Sequence, residues 1–328
     1  MSSSSPRFSL QLLSDARHQL AALQICPLDA WGADSLRSPS LAQACSVLPC
    51  LIAPQDARRL APAALEGLLA SGCQVTSEGA IGVLDTIGAP PRPPGAIYLG
   101  GNWYLQPPGT PSAHQTGSRA LALKLAQLIA CDAETRDIEE VFRHEPTLAY
   151  SLLRLVNSAG IGNGRRIDNF AQAIMLLGRR QLRRWLNLIL FSSRKEDARS
   201  AMLLAHVVVR ARTLEQLAKA EGHDKDAQER AFMVGMFSLL GVLFGMPLPA
   251  VLQPLKLDPE LMEALLLRQG EVGRLLTAVE ALECGDQAQA STLIETMLPE
   301  PINLDVLSID AHVWMLGLIS EGGEGACG

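Results

Sequence analysis

Residues 138–185 read IEEVFRHEPTLAYSLLRLVNSAGIGNGRRIDNFAQAIMLLGRRQLRRW, and their spacing decides the fold. Leu148, Leu152, Leu155 and Val156 recur at the three-and-four-residue interval that lays one apolar stripe along a helix. Pro146 stands where a first-turn proline is tolerated, Gly160 follows the end of that helix, and Asp168 precedes the next apolar run as an N-cap. Upstream, Leu121, Leu125, Leu128 and Ile129 mark a face of the same kind. Downstream the period predicts helices over 168–191, 197–219, 225–246, 259–266, 271–283, 286–297 and 304–319. The result is a helical unit of about 200 residues, large enough to close its own core.

Upstream of residue 115 the pattern changes. Of the 20 prolines, 13 fall between Pro6 and Pro111, and no lysine precedes Lys124. The apolar runs are short (47–53, 74–76, 96–99) and alternate with helix-like stretches at 40–45 and 63–70, which reads as a small α/β unit. In GAPPRPPG, residues 88–95, six of eight positions are Pro or Gly, so a loop is expected there, followed by a strand pair or extended segment over 96–105. The expected architecture is therefore mostly α: an α/β module with its linker over 1–115, then an all-helical domain over 116–328. A hydrophobic fraction of 48% with only 4% aromatics agrees, because an Ala- and Leu-rich core suits close-packed helices better than a β-sandwich.

Composition also excludes function classes. A net charge of −6 does not suit a protein that coats nucleic acid with its whole surface. Apolar runs such as 186–191 and 237–244 are far shorter than the ~20 residues of a membrane span. No basic n-region with an apolar h-region opens the chain, so a cytoplasmic address is expected. Seven cysteines without a C-x-x-C pair read as reduced, buried thiols rather than a zinc site. P-loop, G-x-S-x-G and H-E-x-x-H patterns are missing, and glycines 160, 162 and 164 follow a helix rather than a strand, which is not a dinucleotide loop.

The stretch 138–185 resembles the opening of an HDOD domain. The resemblance rests on Glu145-Pro146, on LLRLVNSA at 152–159, on Ile167, on Ala173-Ile174 and on Leu176-Leu177-Gly178, and it extends more loosely to about residue 320. It implies an all-helical bacterial signalling domain related to HD-type phosphohydrolases but generally without their metal-binding residues. An HD centre needs an adjacent His-Asp pair on a helix with further His and Asp residues to hold a metal and activate water. Along the aligned segment 235–241, Ser238 and Leu239 stand where that pair would be, and neither is a competent ligand. His206, one helix earlier, aligns with the first His of such a site as a remnant, although one imidazole on an apolar helix is more often a core residue. The literal His223-Asp224 lies in a polar string between helices and reads as a solvated, capping loop.

GCQVTSEGA at 72–80 and GNWYLQP at 101–107 resemble the tail of an EAL-type barrel. Glu78 matches the first Glu of that family's strand-end pattern, whereas Ile81 replaces the second. About 110 residues are too few for a whole eight-stranded barrel, so a degenerate, truncated EAL-like module is expected, as in EAL-HDOD signalling proteins.

One charged feature stands out. Between Arg154 and Lys195 nine cations face Asp168 alone, and Arg179/Arg183 and Arg180/Arg184 repeat at four-residue intervals on one side of a helix. Such a stripe suits phosphate, a nucleotide second messenger or an acidic protein surface; the alternative is a solvated face, or pairing with Glu134, Asp137, Glu139 and Glu140. The sequence thus predicts a protein that is not an enzyme, needs no cofactor or metal, and acts as a scaffold connected with cyclic-di-GMP signalling. Its expected partner is another signalling protein, with a nucleotide second messenger or a homodimer as further possibilities and no general role for nucleic acid. The alternatives are a residual metal-dependent phosphohydrolase built on His206 and nucleotide or nucleic-acid binding through Arg179, Arg180, Arg183 and Arg184.

Overall fold

Strands β1 (Phe8–Ser14) and β2 (Leu20–Pro27) form an antiparallel hairpin in full register from Phe8↔Pro27 to Leu13↔Ala22. The Asp15 carboxylate closes the turn by accepting from the Arg17 and Gln19 amides at 2.8 and 2.9 Å. This is a side-chain-built turn without Asn-Gly or Asp-Gly, so the hairpin carries no strong short-range sequence cue. In this computed structural model the described residues are 8–28, 39–84, 93–106, 127, 178, 182, 184, 198–255 and 257–323.

From the hairpin the chain runs through α1 (Pro39–Val47), β3 (Cys50–Ile52), α2 (Pro54–Ala57), α3 (Pro62–Ala70), β4 (Gln74–Val75), β5 (Ile81–Val83) and β6 (Tyr98–Gly100). The curled mixed sheet has the order β4-β3-β2-β1-β6-β5, parallel within β2–β4 and within β5–β6, with β1 antiparallel to both neighbours. Both faces are covered: Phe8, Leu12, Leu23 and Ile25 join the main core, while Leu13, Ala22 and Leu51 pack with Ile81 and Tyr98 in a smaller cluster. Of the strand pair or extended segment expected over 96–105, one strand forms, followed by a 3-10 turn, Trp103–Leu105. Gly101 ends the strand at φ +92, where a Cβ would lie 2.3 Å from the Leu84 carbonyl oxygen.

The helical unit comprises α4 (Ser200–Ala220), α5 (Lys225–Ser238), α6 (Leu240–Phe244), α7 (Leu248–Leu252), α8 (Pro259–Leu267), α9 (Gly270–Cys284), α10 (Gln287–Met297) and α11 (Leu304–Gly323). Carboxylates cap three of them, Asp224 accepting from Ala227 N, Asp258 from Glu260 N and Asp286 from Gln289 N. His223-Asp224 is thus a helix start, with the imidazole 3.1 Å from Glu221 and 3.5 Å from Glu271. The single helix expected over 225–246 breaks at Leu239 (φ −104, ψ 7) and ends at Gly245 in the left-handed region. Gly235 lets α4 and α5 touch backbone to backbone, since a Cβ there would sit 2.5 Å from Ala211 Cα.

By length and composition Lys225–Phe244 passes as a membrane span, contrary to the reading of its runs as too short, but 78% of that window is buried inside the fold. The main core is continuous from Phe8 and Leu12 of the sheet through α4, α5 and α9 to Leu316 of α11. α11 lies on both α1 and α4 and reaches β1, so sheet and helices share one interior.

Candidate functional site

Along the first half of α4, residues 201–211, only His206 and Arg210 interrupt an apolar sequence, and they stand one helical turn apart. Both turn into the seam between the sheet and the helices. A cavity of about 460 Å³ opens there, lined by β1 from Phe8 to Leu12, by Tyr104, and by His206, Arg210, Glu283 and His312 of the helical unit.

Arg210 organises the floor. Its Nε donates to Glu283 Oε1 at 2.9 Å, its Nη2 donates to Glu283 Oε2, and its Nη1 donates to Ser238 Oγ at 2.9 Å. Ser238 in turn donates to the Gly235 carbonyl at 2.7 Å, and Glu280, itself bound by Arg268, lies 3.8 Å from Arg210. Burial alone would raise the Glu283 carboxyl, but the guanidinium and His206, whose Nε2 is 3.3 Å away, hold it well below the usual carboxylate range. The Tyr104 hydroxyl reaches His206 Nδ1 at 3.4 Å, and burial pushes that phenol up.

The donor set does not fit a metal. Ser238 and Leu239, the positions aligned with His-Asp, fall at the α5–α6 break; the serine is committed to Arg210 and Gly235, and the leucine is buried in the core. A fixed cation occupies Glu283, the carboxylate nearest His206. A divalent ion entering here would meet guanidinium charge and would have to displace it from a bidentate pair. Among the described residues no group of three His, Cys, Asp or Glu side chains is arranged to hold a metal ion.

His312 forms the far wall. Its Nδ1–H donates to the Ser308 carbonyl at 2.8 Å, and burial lowers its pKa to about 4 from an ordinary 6.5. Between those values the unfolded chain binds a proton that the folded chain refuses, so stability falls as pH drops from 6.5 toward 4. At ~1.4 kcal/mol per pH unit this window removes about 3 kcal/mol. Urea unfolding at pH 7, 5.5 and 4.5 is expected to show that decline in the parent and a flat response in His312→Leu; parallel declines in the two proteins would refute it.

The remaining sequence candidates lie elsewhere. Glu78 is exposed between β4 and β5 and pairs with Arg58 at 2.5 Å, a surface bridge, and neither residue lines the cavity. Arg184 is turned inward: its guanidinium donates to Glu229 at 2.9 and 2.6 Å and to Glu215 at 2.5 Å, and lies 4.6 Å from the Phe232 ring centroid. Arg179, Arg180 and Arg183 lie outside the described residues. Sequence reading missed Arg210, Glu283, Tyr104 and His312. Arg210 was accessible to it, as a lone charge one turn from His206 on an apolar helix.

Residues 120–266 match the family model described as HDOD domain. The Uncharacterized protein YuxH of Bacillus subtilis is 28% identical over 158 residues, 48% of this chain and 38% of that protein. The Cyclic di-GMP phosphodiesterase CdgJ of Vibrio cholerae is 27% identical over 200 residues, 60% of this chain and 45% of that one. The chain thus spans less than half the length of either curated relative. A crystal structure from Shewanella amazonensis, provisionally named a phosphohydrolase, aligns at 16% identity with a TM-score of 0.42, over 62% of this chain and 93% of that one.

Proposed function

We propose that this chain is a non-catalytic bacterial signalling protein whose HDOD domain acts as a binding scaffold connected with cyclic-di-GMP signalling, with an EAL-like module over its first hundred or so residues. One observation carries the non-catalytic reading. Arg210 spans Glu283 and Ser238 where an HD hydrolase would assemble its metal and nucleophilic water. An ion pair in that place stabilises the α4–α5–α9 junction and offers no open coordination position. The relative named as a cyclic di-GMP phosphodiesterase supports the link to that messenger, and the curled sheet with helices between its parallel strands supports the EAL-like reading of the first hundred residues. Because the sheet roofs the cavity and shares its core with α4 and α11, ligand or partner binding on either unit would be felt by the other.

The test is metal content by elemental mass spectrometry on untagged, metal-replete protein, run beside a cyclic-di-GMP hydrolysis assay. Substoichiometric metal and no turnover are expected. Near-stoichiometric transition metal with turnover that disappears in His206→Ala would replace the scaffold with a rebuilt hydrolytic centre.

A further inference from the structure

Three thiols converge on the sheet unit, away from the cavity. Cys45 lies in the last turns of α1, Cys50 opens β3, and Cys73 follows the end of α3. The Cys45 and Cys73 sulfurs are 3.7 Å apart across 28 residues of chain. Cys50, fully buried, donates its S–H to the Leu48 carbonyl at 3.7 Å. Gly72 makes the approach feasible: at φ +97 it turns the chain under α1, and a Cβ on it would stand 3.0 Å from Cys45 Cβ.

The three sulfurs differ in character. Cys45 is half-buried and so within reach of a small solute, whereas Cys50 and Cys73 are buried. The neighbouring Cys50 and then Cys73 thiols lower the Cys45 thiol, while the same contacts and burial push its two neighbours up. Cys45 is thus both the most acidic and the most accessible of the three. Cys26 on β2 supplies the contrast, pushed up to about 12 by burial.

We propose that Cys45 and Cys73 form a peroxide-sensitive dithiol in which Cys45 is oxidised first and Cys73 resolves it into a disulfide. The Cys45 thiolate attacks one peroxide oxygen, the O–O bond breaks, and the departing hydroxide takes a proton to leave as water, giving Cys45 sulfenic acid. The Cys73 sulfur, surrendering its proton to the departing hydroxyl, then attacks the Cys45 sulfur; the S–O bond breaks and a second water leaves. In total two thiols and one peroxide give one disulfide and two waters. Closing 3.7 Å to the ~2.05 Å of a disulfide draws the end of α1 toward the α3–β4 turn. Since α1 packs on α11, the bond acts on the element that joins the sheet to the helical unit.

The experiment treats the full chain with stoichiometric hydrogen peroxide and maps peptides without reduction. A Cys45–Cys73 crosslink is expected in the parent, dimedone-trapped sulfenic acid at Cys45 in Cys73→Ser, and neither in Cys45→Ser. A crosslink between other cysteines, or dimedone labelling confined to the exposed Cys284, would overturn the proposal. A second readout on the unmutated protein guards against misfolded variants: at pH 6, iodoacetamide is expected to alkylate Cys45 at least tenfold faster than Cys284, and the reverse order would equally overturn it.

Discussion

Arg210→Met is expected to lower the unfolding free energy by about 3 kcal/mol at pH 7, the lower end of what removing one partner of a buried ion pair costs. The lower end applies because the Glu283 side chain retains 20% exposure while that of Arg210 has 6%. Losing the guanidinium leaves Glu283 facing the His206 imidazole at 3.3 Å without its bidentate partner, and leaves Ser238 Oγ without its donor. Arg210→Met combined with Glu283→Leu should regain most of the loss, since an apolar pair of similar volume need not be desolvated as charge. The measurement is urea unfolding followed by helical circular dichroism on parent, both single variants and the double. A coupling energy below about 1 kcal/mol would mean that the pair is solvated and that Arg210 does not fix Glu283 in place.

The same pair sets an acid limit. Glu283 is held below the ordinary carboxylate range, so its contribution is fully present above the unfolded value of about 4.3 and is lost as pH falls below it. The His312 decline occupies the higher window, from 6.5 down to about 4, so the two groups separate along one titration. In Arg210→Met the decline below about pH 4 should shrink while the His312 decline remains.

How much of this was legible follows from what the residues encode locally. Helices α4, α5 and α8–α11 could be read because each carries an apolar stripe, and Asp224, Asp258 or Asp286 marks the start of three of them. The break at Leu239 was invisible, since an unbroken apolar run gives no reason to stop a helix, and the Arg210–Ser238 hydrogen bond beside it joins residues 28 apart in the chain. The β1–β2 hairpin was hidden by a turn built on the Asp15 side chain. Ser238-Leu239 could be read directly as neither His nor Asp. The contacts of Arg210 and His206 could not, because Glu283 lies 73 residues from Arg210 and Tyr104 reaches His206 across 102.

Arg184→Ala is expected to destabilise the fold by about 3 to 4 kcal/mol, and this decides how the arginine stripe must be tested. Its side chain is 16% exposed, and its carboxylate partners are 11% for Glu215 and 5% for Glu229. Glu215 keeps Arg212 at 2.6 Å when Arg184 is removed, but Glu229 keeps no cation among its described contacts, and its Oε1 is already without a hydrogen-bond partner. The energetic loss therefore falls on one buried carboxylate, together with the guanidinium–ring contact to Phe232. Glu229→Gln should relieve the penalty in an Arg184→Ala background, which distinguishes stranded charge from lost packing. Urea unfolding measures both variants; a loss below about 1 kcal/mol for Arg184→Ala would mean that its inward ion pairs contribute little to stability. A charge reversal of Arg183 and Arg184 together would place a third carboxylate beside Glu215 and Glu229, so lost binding would not be separable from lost stability. The informative variants are Arg179→Glu and Arg183→Glu, judged only after their stability matches the parent, with salt dependence as the second readout.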